Sequence, residues 1–335
     1  MNSFERMTRR MNGESVDRPL NFDIFMTFAA HHIGKPLSEY YLDHRVLVDA
    51  NLAVLEDFDL DIVQAISDPF RETADFGAEI LFPEDDLPIS KVPLLVEPED
   101  IGILKPPDPH SGRRMSDRLE AIRLFREKVG GEVPIMGWVE GALAEAANLR
   151  GVSELLMDLI LRPDWVQELL EICVEVAVPF ALAQIDAGAD IIGLGDAVVS
   201  QISPGMYRQF ALPYEKMIFD AVHSYGGIAR LHICGDTNKI IPEMVESGAD
   251  IIDLDWMVDM EKAVVEFGDQ VSFLGNFDPV AVMLQGSPDE VYNATTACLE
   301  MAGHRGFSAP GCEVPDATSH ENLRAQSRAL REFGD

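Results

Sequence analysis

Short β-rich hydrophobic runs alternate with longer segments of helical periodicity along most of the chain. The short runs predict strands, and the longer segments, with polar residues on their outer faces, predict amphipathic helices. Eight strands are predicted in this way, at 19–24, 61–65, 133–137, 190–194, 228–232, 251–255, 271–274 and 307–309. The alternation of strand and helix is typical of an α/β protein.

The joints between helices and strands carry recognisable signals. Ser287 to Glu290 forms a capping box at the start of a helix, and Thr318 to Glu321 forms another. The segment Ala187 to Ile192 is nearly repeated as Ser247 to Ile252, and each copy places a glycine between the end of a helix and a strand. Such a helix-glycine-strand joint is what repeated βα units need.

Eight strands that alternate with helices predict a closed (β/α)8 TIM barrel, formed as a single domain over residues 1–335. A helix at 4–12 forms an N-terminal extension. A long loop after the second strand, at 83–109, holds seven of the twenty prolines and is interpreted as a lid or binding loop. A doubly wound open sheet is the alternative, but the glycine cluster at 193–195 lacks the full GxGxxG form.

Composition excludes several classes of partner. The formal net charge is −32, and a chain of that charge lacks the basic footprint that nucleic acids and anionic membranes require. No apolar run approaches the length of a membrane span, and the first residues lack an export signal, so the cytoplasm is expected. Four cysteines do not make a disulfide framework in a chain of this length, and a homo-oligomer is compatible with the sequence.

His232 and Cys234 form the sequence feature with the clearest chemical meaning. Residues i and i+2 of a strand point to the same side, so an imidazole nitrogen and a thiolate can face one point in space. Cys312 follows the last predicted strand and can add a second sulfur where the barrel brings the two strand ends together. One nitrogen and two sulfurs leave a position open, which is typical of catalytic Zn2+. Core packing is the alternative for an isolated His-x-Cys pair.

Further polar residues follow other predicted strands and therefore lie at the same mouth of the barrel. Asp196 is expected to anchor substrate or to orient His232, unless it forms a structural salt bridge. Asp255 is expected to complete the zinc sphere or to bond the second ring nitrogen of His232, or it caps the next helix. Asn276 is a candidate hydrogen-bonding partner for substrate.

Four short motifs resemble those of the uroporphyrinogen decarboxylase superfamily over nearly the whole chain. They are VDRP at 16–19, GAD at 248–250, LDW at 254–256 and GNFDP at 275–279. HxCG at 232–235 together with PGC at 310–312 resembles the corrinoid-dependent methyltransferase branch, which includes methylcobalamin:coenzyme M methyltransferases and O-demethylase subunits. The decarboxylases themselves carry an Arg-Gln-Ala-Gly-Arg segment near the N-terminus, where this chain has FMTFAAHH at 25–32.

The resemblance implies a zinc-dependent transfer of a methyl group between a small methylated substrate and a corrinoid, cobalamin-type cofactor. No Asp-x-His-x-x-Gly segment is present, so the corrinoid is expected on a partner protein or as a free cobamide. Phe25, Met26 and Trp138 predict an apolar pocket, and Glu140 beside them is a candidate acid for protonating a departing oxygen, or else a partner of an arginine. O-demethylation of a methoxylated compound is therefore favoured. A coenzyme M-type thiol methyltransferase and a metal-free decarboxylase-like lyase are the alternatives.

Overall fold

Parallel strands form the centre of the structure, a computed structural model that describes residues 1–333. The strands are β1 (Val63–Gln64), β2 (Ile80–Leu81), β3 (Ile89–Ser90), β4 (Ile135–Glu140), β5 (Ile191–Gly195), β6 (Ile228–His232), β7 (Ile251–Asp253) and β8 (Ser272–Leu274). Six of them make one parallel sheet in the order β1, β4, β5, β6, β7, β8, and β2 pairs with β3 in a separate antiparallel hairpin.

The first and last predicted strands close the sheet through isolated bridges. Phe307 pairs with Leu274 of β8, Ser308 pairs with Asn21, and the carbonyl of Asn21 accepts a hydrogen bond of 2.9 Å from the amide of Asp61, just before β1. The chain is therefore a (β/α)8 barrel, as predicted. The two closing segments join the sheet through single bridges rather than through an extended ladder.

Some helices precede the first strand of this sheet, and the others follow it in the chain and surround the sheet. They are α1 (Ser3–Met11), α2 (Thr27–His32), α3 (Leu37–Leu42), α4 (His44–Asp57), α5 (Arg71–Asp75), α6 (Arg113–Val129), α7 (Ala142–Arg150), α8 (Val152–Leu161), α9 (Pro163–Ala187), α10 (Pro204–Phe210), α11 (Leu212–Ser224), α12 (Ile241–Glu246), α13 (Met260–Phe267), α14 (Pro288–Ala302) and α15 (His320–Glu332). No helix in the described range is long and apolar enough to span a membrane.

The repeated helix-glycine-strand joint has the conformation that its sequence predicts. Gly188 ends α9 with a φ of 118°, and Gly248 follows α12 with a φ of 92°. Side chains with a β-carbon rarely adopt such positive φ values, so glycine is needed where the chain turns from helix to strand. The capping box at Ser287 and Glu290 also begins α14 as predicted.

The long loop after β1 lies against the outer helices. Its buried Leu95 donates a backbone hydrogen bond of 2.9 Å to Leu149 of α7, and the carbonyl of Pro98 accepts a bond of 2.8 Å from the indole of Trp165 in α9. The loop contains β3 and a 3₁₀ helix at Pro98–Ile103. These contacts fix one end of the loop, while its residues Leu87 and Pro88 line a cavity together with Met26 and Asp68.

Candidate functional site

His232, Cys234 and Cys312 meet at the mouth of the barrel. The Nε2 atom of His232 lies 3.0 Å from Cys234 Sγ and 3.8 Å from Cys312 Sγ, and the two sulfurs are 3.5 Å apart. His232 ends β6, whereas Cys312 follows the segment that closes the barrel. A β-carbon at Gly311 would lie 2.4 Å from the backbone nitrogen of Trp256, so only glycine lets this segment approach the loop after β7.

The spacing of these three donor atoms fits a zinc ion. A tetrahedral zinc with ordinary bond lengths separates a nitrogen and a sulfur ligand by about 3.6 Å and two sulfur ligands by about 3.8 Å. The observed distances of 3.0, 3.5 and 3.8 Å differ from these values by at most about 0.6 Å, which small side-chain rotations can supply. The remaining cysteines, Cys173 and Cys298, are buried and do not belong to this group.

Asp253 fixes the orientation of the His232 ring. Its Oδ2 atom lies 2.7 Å from His232 Nδ1, and the same carboxylate accepts three hydrogen bonds of 2.9 to 3.1 Å from the buried Arg230. A proton held on Nδ1 leaves Nε2 free as a metal ligand. Asp196 and Asp255 were the predicted partners of the ring, but neither carboxylate bonds it; Asp196 meets His232 only through its backbone amide, which donates to the His232 carbonyl at 3.1 Å. The strand register, which pairs His232 with Asp253, would have identified it.

The pKa values of the two thiols shift in opposite directions. The hydrogen bond between them lowers the pKa of Cys312 to about 4 and raises the pKa of Cys234. Burial lowers the pKa of His232, but the Cys234 charge and the bond to Asp253 outweigh burial and raise it. The surroundings therefore already favour one thiolate, which is the form that binds metal.

A cavity of about 190 Å³ opens onto this group of donors. Its wall is almost entirely apolar, and the predicted substrate-binding residues Met26 and Trp138 belong to it. The other lining residues are Ile24, Ile66, Asp68, Pro69, Glu140, Gly195, Ala197, His232, Cys234, Cys312 and Glu313. A small, largely apolar molecule therefore fits above the donor atoms.

Glu140 is the buried acid of the cavity wall. Arg71 donates to its Oε1 atom at 2.7 Å, and the indole of Trp138 donates to the same atom at 3.3 Å. Burial raises the pKa of Glu140 to about 8, although Arg71 opposes the shift. A carboxyl group that keeps its proton near neutral pH can act as a general acid.

Asp196 and Phe25 lie outside the cavity lining. The Asp196 carboxyl is packed against the first turn of α7, where a β-carbon on Gly141 would come within 2.4 Å of it. Burial raises the pKa of Asp196 well above its usual range, against the effect of the backbone amides of α7. Phe25 is fully buried, with its ring 5.5 Å from that of Phe28.

Asp255 and Asn276 support the loops that carry the sulfur ligands. The Asp255 carboxylate accepts a hydrogen bond of 2.9 Å from the amide of Gly235, the residue after Cys234. Asn276 donates to the carbonyls of Asp255 and Val258 at 3.1 and 2.8 Å. Neither residue lines the cavity above the donor atoms.

Glu313 is a cavity residue that the sequence analysis missed. Its Oε1 atom accepts hydrogen bonds of 2.9 Å from both the amide and the hydroxyl of Thr27. Burial raises the pKa of Glu313 to about 7. Its position directly after Cys312 is the only signal of it in the sequence.

Several known proteins are similar to this chain. The family model described as uroporphyrinogen decarboxylase (URO-D) matches residues 2–333. The methylcobamide:CoM methyltransferase MtaA of Methanosarcina barkeri is 33% identical over 235 residues, which cover 69% of this chain and 68% of that protein. A methylated-thiol–coenzyme M methyltransferase of Methanosarcina mazei is 28% identical over 294 residues, 87% of this chain and 78% of that protein.

A solved structure shares the whole fold. It is described as a methyltransferase from Methanosarcina mazei, and it superposes with a TM-score of 0.91 at 26% identity, covering 99% of both chains. Both parts of the resemblance seen in the sequence are thereby confirmed. The chain belongs to the uroporphyrinogen decarboxylase family, and its relatives include methyltransferases named for methylcobamide and coenzyme M.

Proposed function

We propose that this chain is a zinc-dependent methyltransferase that moves a methyl group between a small substrate and a corrinoid. The observation that carries the proposal is the group of one imidazole and two thiols, oriented by Asp253, at the base of an apolar cavity. Three protein ligands leave one position for a substrate atom, as in catalytic zinc sites. The names of the relatives support methyl transfer with a corrinoid.

Each residue of the site has a defined part in the proposed reaction. Zinc, when bound, supplies a Lewis acid with an open position. His232, Cys234 and Cys312 hold it, and Asp253 keeps the His232 ring in the ligating tautomer. Met26 and Trp138 exclude water from the reacting atoms.

Demethylation of a methoxylated compound is the favoured direction. In this direction the substrate would give its methyl group to a reduced corrinoid acting as co-substrate, which would supply the electron pair for the new bond to carbon. The electron pair of the broken carbon–oxygen bond would stay on the oxygen. The oxygen left behind gains a proton, which Glu140 can donate because burial holds its pKa at about 8. The buried position of the Glu140 carboxyl group on the cavity wall is the observation that favours this direction.

Methyl transfer from methylcobalt to a thiol is the second candidate, favoured by relatives named for thiol and coenzyme M substrates. In that direction the thiol would lose its proton to solvent, and its sulfur would then form the bond to the methyl carbon. The cobalt–carbon bond would break at the same time, with its electron pair left on the corrinoid. A metal-free decarboxylase-like lyase fits the structure less well, because no arginine or lysine lines the cavity to bind a tetra-acid.

The corrinoid is proposed to come from a partner protein or as a free cobamide in the cytoplasm. The four cysteines are all free thiols, which agrees with a reducing compartment. Methyl transfer by the purified protein without any cobamide would contradict this part of the proposal.

The test is a spectroscopic assay with the zinc-loaded protein. Conversion of Co(I) to methyl-Co(III) is followed with a panel of methyl ethers, and loss of methyl-Co(III) is followed separately with thiols. Turnover with ethers supports the favoured direction, and turnover with thiols alone supports the second candidate. Zinc-loaded protein that is inactive in both assays, with corrinoid present, would refute the proposed function.

A further inference from the structure

Tyr41 is a buried tyrosine whose hydroxyl group has no hydrogen-bonding partner among residues 1–333. Tyr40 and Tyr207 are buried as deeply, but both of their hydroxyls are bonded. Tyr40 donates to two backbone carbonyls at 3.3 and 3.2 Å, and Tyr207 donates to the carboxylate of Glu215 at 2.6 Å. A buried hydroxyl without a partner costs stability unless a water molecule or a ligand bonds it.

The Tyr41 side chain belongs to the wall of a second cavity, of about 150 Å³. Three other polar side chains of this wall, Ser67, Thr27 and Asp68, already form hydrogen bonds or ion pairs within the protein. No arginine or lysine lines the cavity. Tyr41 therefore contributes a neutral donor that is available to a molecule bound there.

The position of Tyr41 is fixed by its neighbours. Arg114 donates to the backbone carbonyl of Tyr41 at 2.8 Å, and the same guanidinium forms an ion pair with Asp68 on the cavity wall. The Tyr41 ring lies 6.0 Å from that of Tyr40 and 6.3 Å from that of Phe82. A donor held in this way loses little conformational freedom when a ligand binds.

The second cavity adjoins the one above the donor atoms. The two share Met26, Asp68, Pro69 and Glu313. Glu313 directly follows Cys312, so the shared wall begins one residue from a proposed metal ligand. Met26 is the flexible member of this wall, because an unbranched thioether side chain can rotate aside without a backbone movement. Only together do the two cavities exceed about 300 Å³, the lower end of the range for sites of drug-sized ligands.

We propose that the substrate occupies both cavities, and that Tyr41 recognises its remote end. The substrate class is then a methylated compound whose apolar body ends in a neutral oxygen group, such as a carbonyl or a hydroxyl, to which Tyr41 donates. A charged end is disfavoured, because the second cavity has no free cation to replace its hydration. The inference rests on the proposed function in placing the methyl-bearing atom at His232, Cys234 and Cys312.

Three methyl ethers provide the first test. Anisole carries no remote group, para-isopropylanisole carries an apolar one, and para-methoxyacetophenone carries a carbonyl in a group of nearly the same shape. Binding to the zinc-loaded chain and to the metal-free chain is measured by ligand-observed NMR. Para-isopropylanisole should bind at least about tenfold more tightly than anisole, because its three additional carbons are buried in the second cavity. Equal binding of these two ethers would overturn the proposal.

Tyr41→Phe is the informative variant, because it removes the hydroxyl and keeps the ring. The affinity for para-methoxyacetophenone, relative to that for para-isopropylanisole, should fall by about three- to tenfold. A general loss of packing would instead weaken the binding of both ethers alike. Tyr225→Phe is the matched control, since it removes a hydroxyl from an exposed position at the end of α11, and it should keep the wild-type ratio. An unchanged ratio in Tyr41→Phe would refute the role of Tyr41.

A third measurement gives the orientation of the ligand. Co2+ in place of zinc broadens the NMR signals of nearby ligand protons, so the methoxy protons of para-methoxyacetophenone should broaden more than its acetyl protons. Stronger broadening of the acetyl protons would overturn the proposal. Failure of the chain to bind either metal would count against the proposed function alone, because the effect of Tyr41→Phe on the ratio is also measured in the metal-free chain.

Discussion

Replacing Asp253 with asparagine should weaken zinc binding more than any other change outside the three ligands. The carboxylate accepts a bond from His232 Nδ1 at 2.7 Å and three bonds from Arg230. Asparagine keeps one acceptor oxygen for the arginine but turns an amide donor toward the ring. The ring then carries its proton on Nε2, the atom that must bind the metal.

The size of the effect follows from these contacts. Loss of a partner that orients a ligating histidine costs about 10-fold to 100-fold in metal affinity, and the wrong tautomer places Asp253→Asn near the upper limit. Arg230 is 1% exposed, so weakening its ion pair also lowers the free energy of unfolding, by about 3 kcal/mol. The weaker zinc binding and the lower stability both follow from replacing one carboxylate oxygen of Asp253 with an amide nitrogen.

Zinc affinity is measured by competition with a chromophoric chelator, and folding by urea denaturation of the metal-free chain. Asp250→Asn is the control, because Asp250 lies just before β7 at the opposite end from Asp253, where it bonds His223 and the amide of Ala229. That variant should bind zinc like the wild type. Wild-type zinc affinity in folded Asp253→Asn would refute the reasoning.

Three further predictions concern the ligands and the buried acids. Cys234→Ser and Cys312→Ser should each lose zinc, and His232→Ala should bind it weakly, while circular dichroism shows an intact barrel; full zinc occupancy in both serine variants would contradict the site. Demethylation should slow as pH rises through about 8, where Glu140 loses its proton, and Glu140→Gln should be slow at every pH; a rate that increases through this range would exclude Glu140 as the acid. Burial raises the pKa of Glu215 from 4.5 to about 7, so the folded state holds this proton after the unfolded state has lost it, and the free energy of unfolding should fall as pH rises between these values. Urea titrations should show a smaller fall in Glu215→Gln, and an equal fall in both proteins would contradict the assignment.

The sequence predicted the parts of this protein that depend on local pattern. Short stretches of sequence determine the strand positions, the glycine joints and the alternation of strands and helices. The barrel could therefore be predicted from these local patterns. The ligands His232, Cys234 and Cys312 were predicted because barrel strands end at a common mouth, which turns distant positions into neighbours.

The supporting residues could not be predicted in the same way. Asp253 and Asp255 are two acids after the same hydrophobic run, and only the register of β6 against β7 decides which of them meets His232. Glu313 depends on the approach of Thr27 from the opposite end of the chain. Packing across the barrel determines which of these side chains come into contact. Composition and periodicity carry no information about such contacts.

The closure of the barrel by the first and last strand segments affects the order of folding and metal binding. Two of the proposed metal ligands, His232 and Cys234, lie at and just after the end of β6, but the third follows the segment that joins β8 to the N-terminal residues. During synthesis His232 and Cys234 leave the ribosome long before Cys312, so a growing chain holds only a bidentate, weakly binding fragment. We therefore expect tight metal binding only after the first and last segments of the chain have met. Bound metal would then report completed folding, and truncated or open chains would lack it.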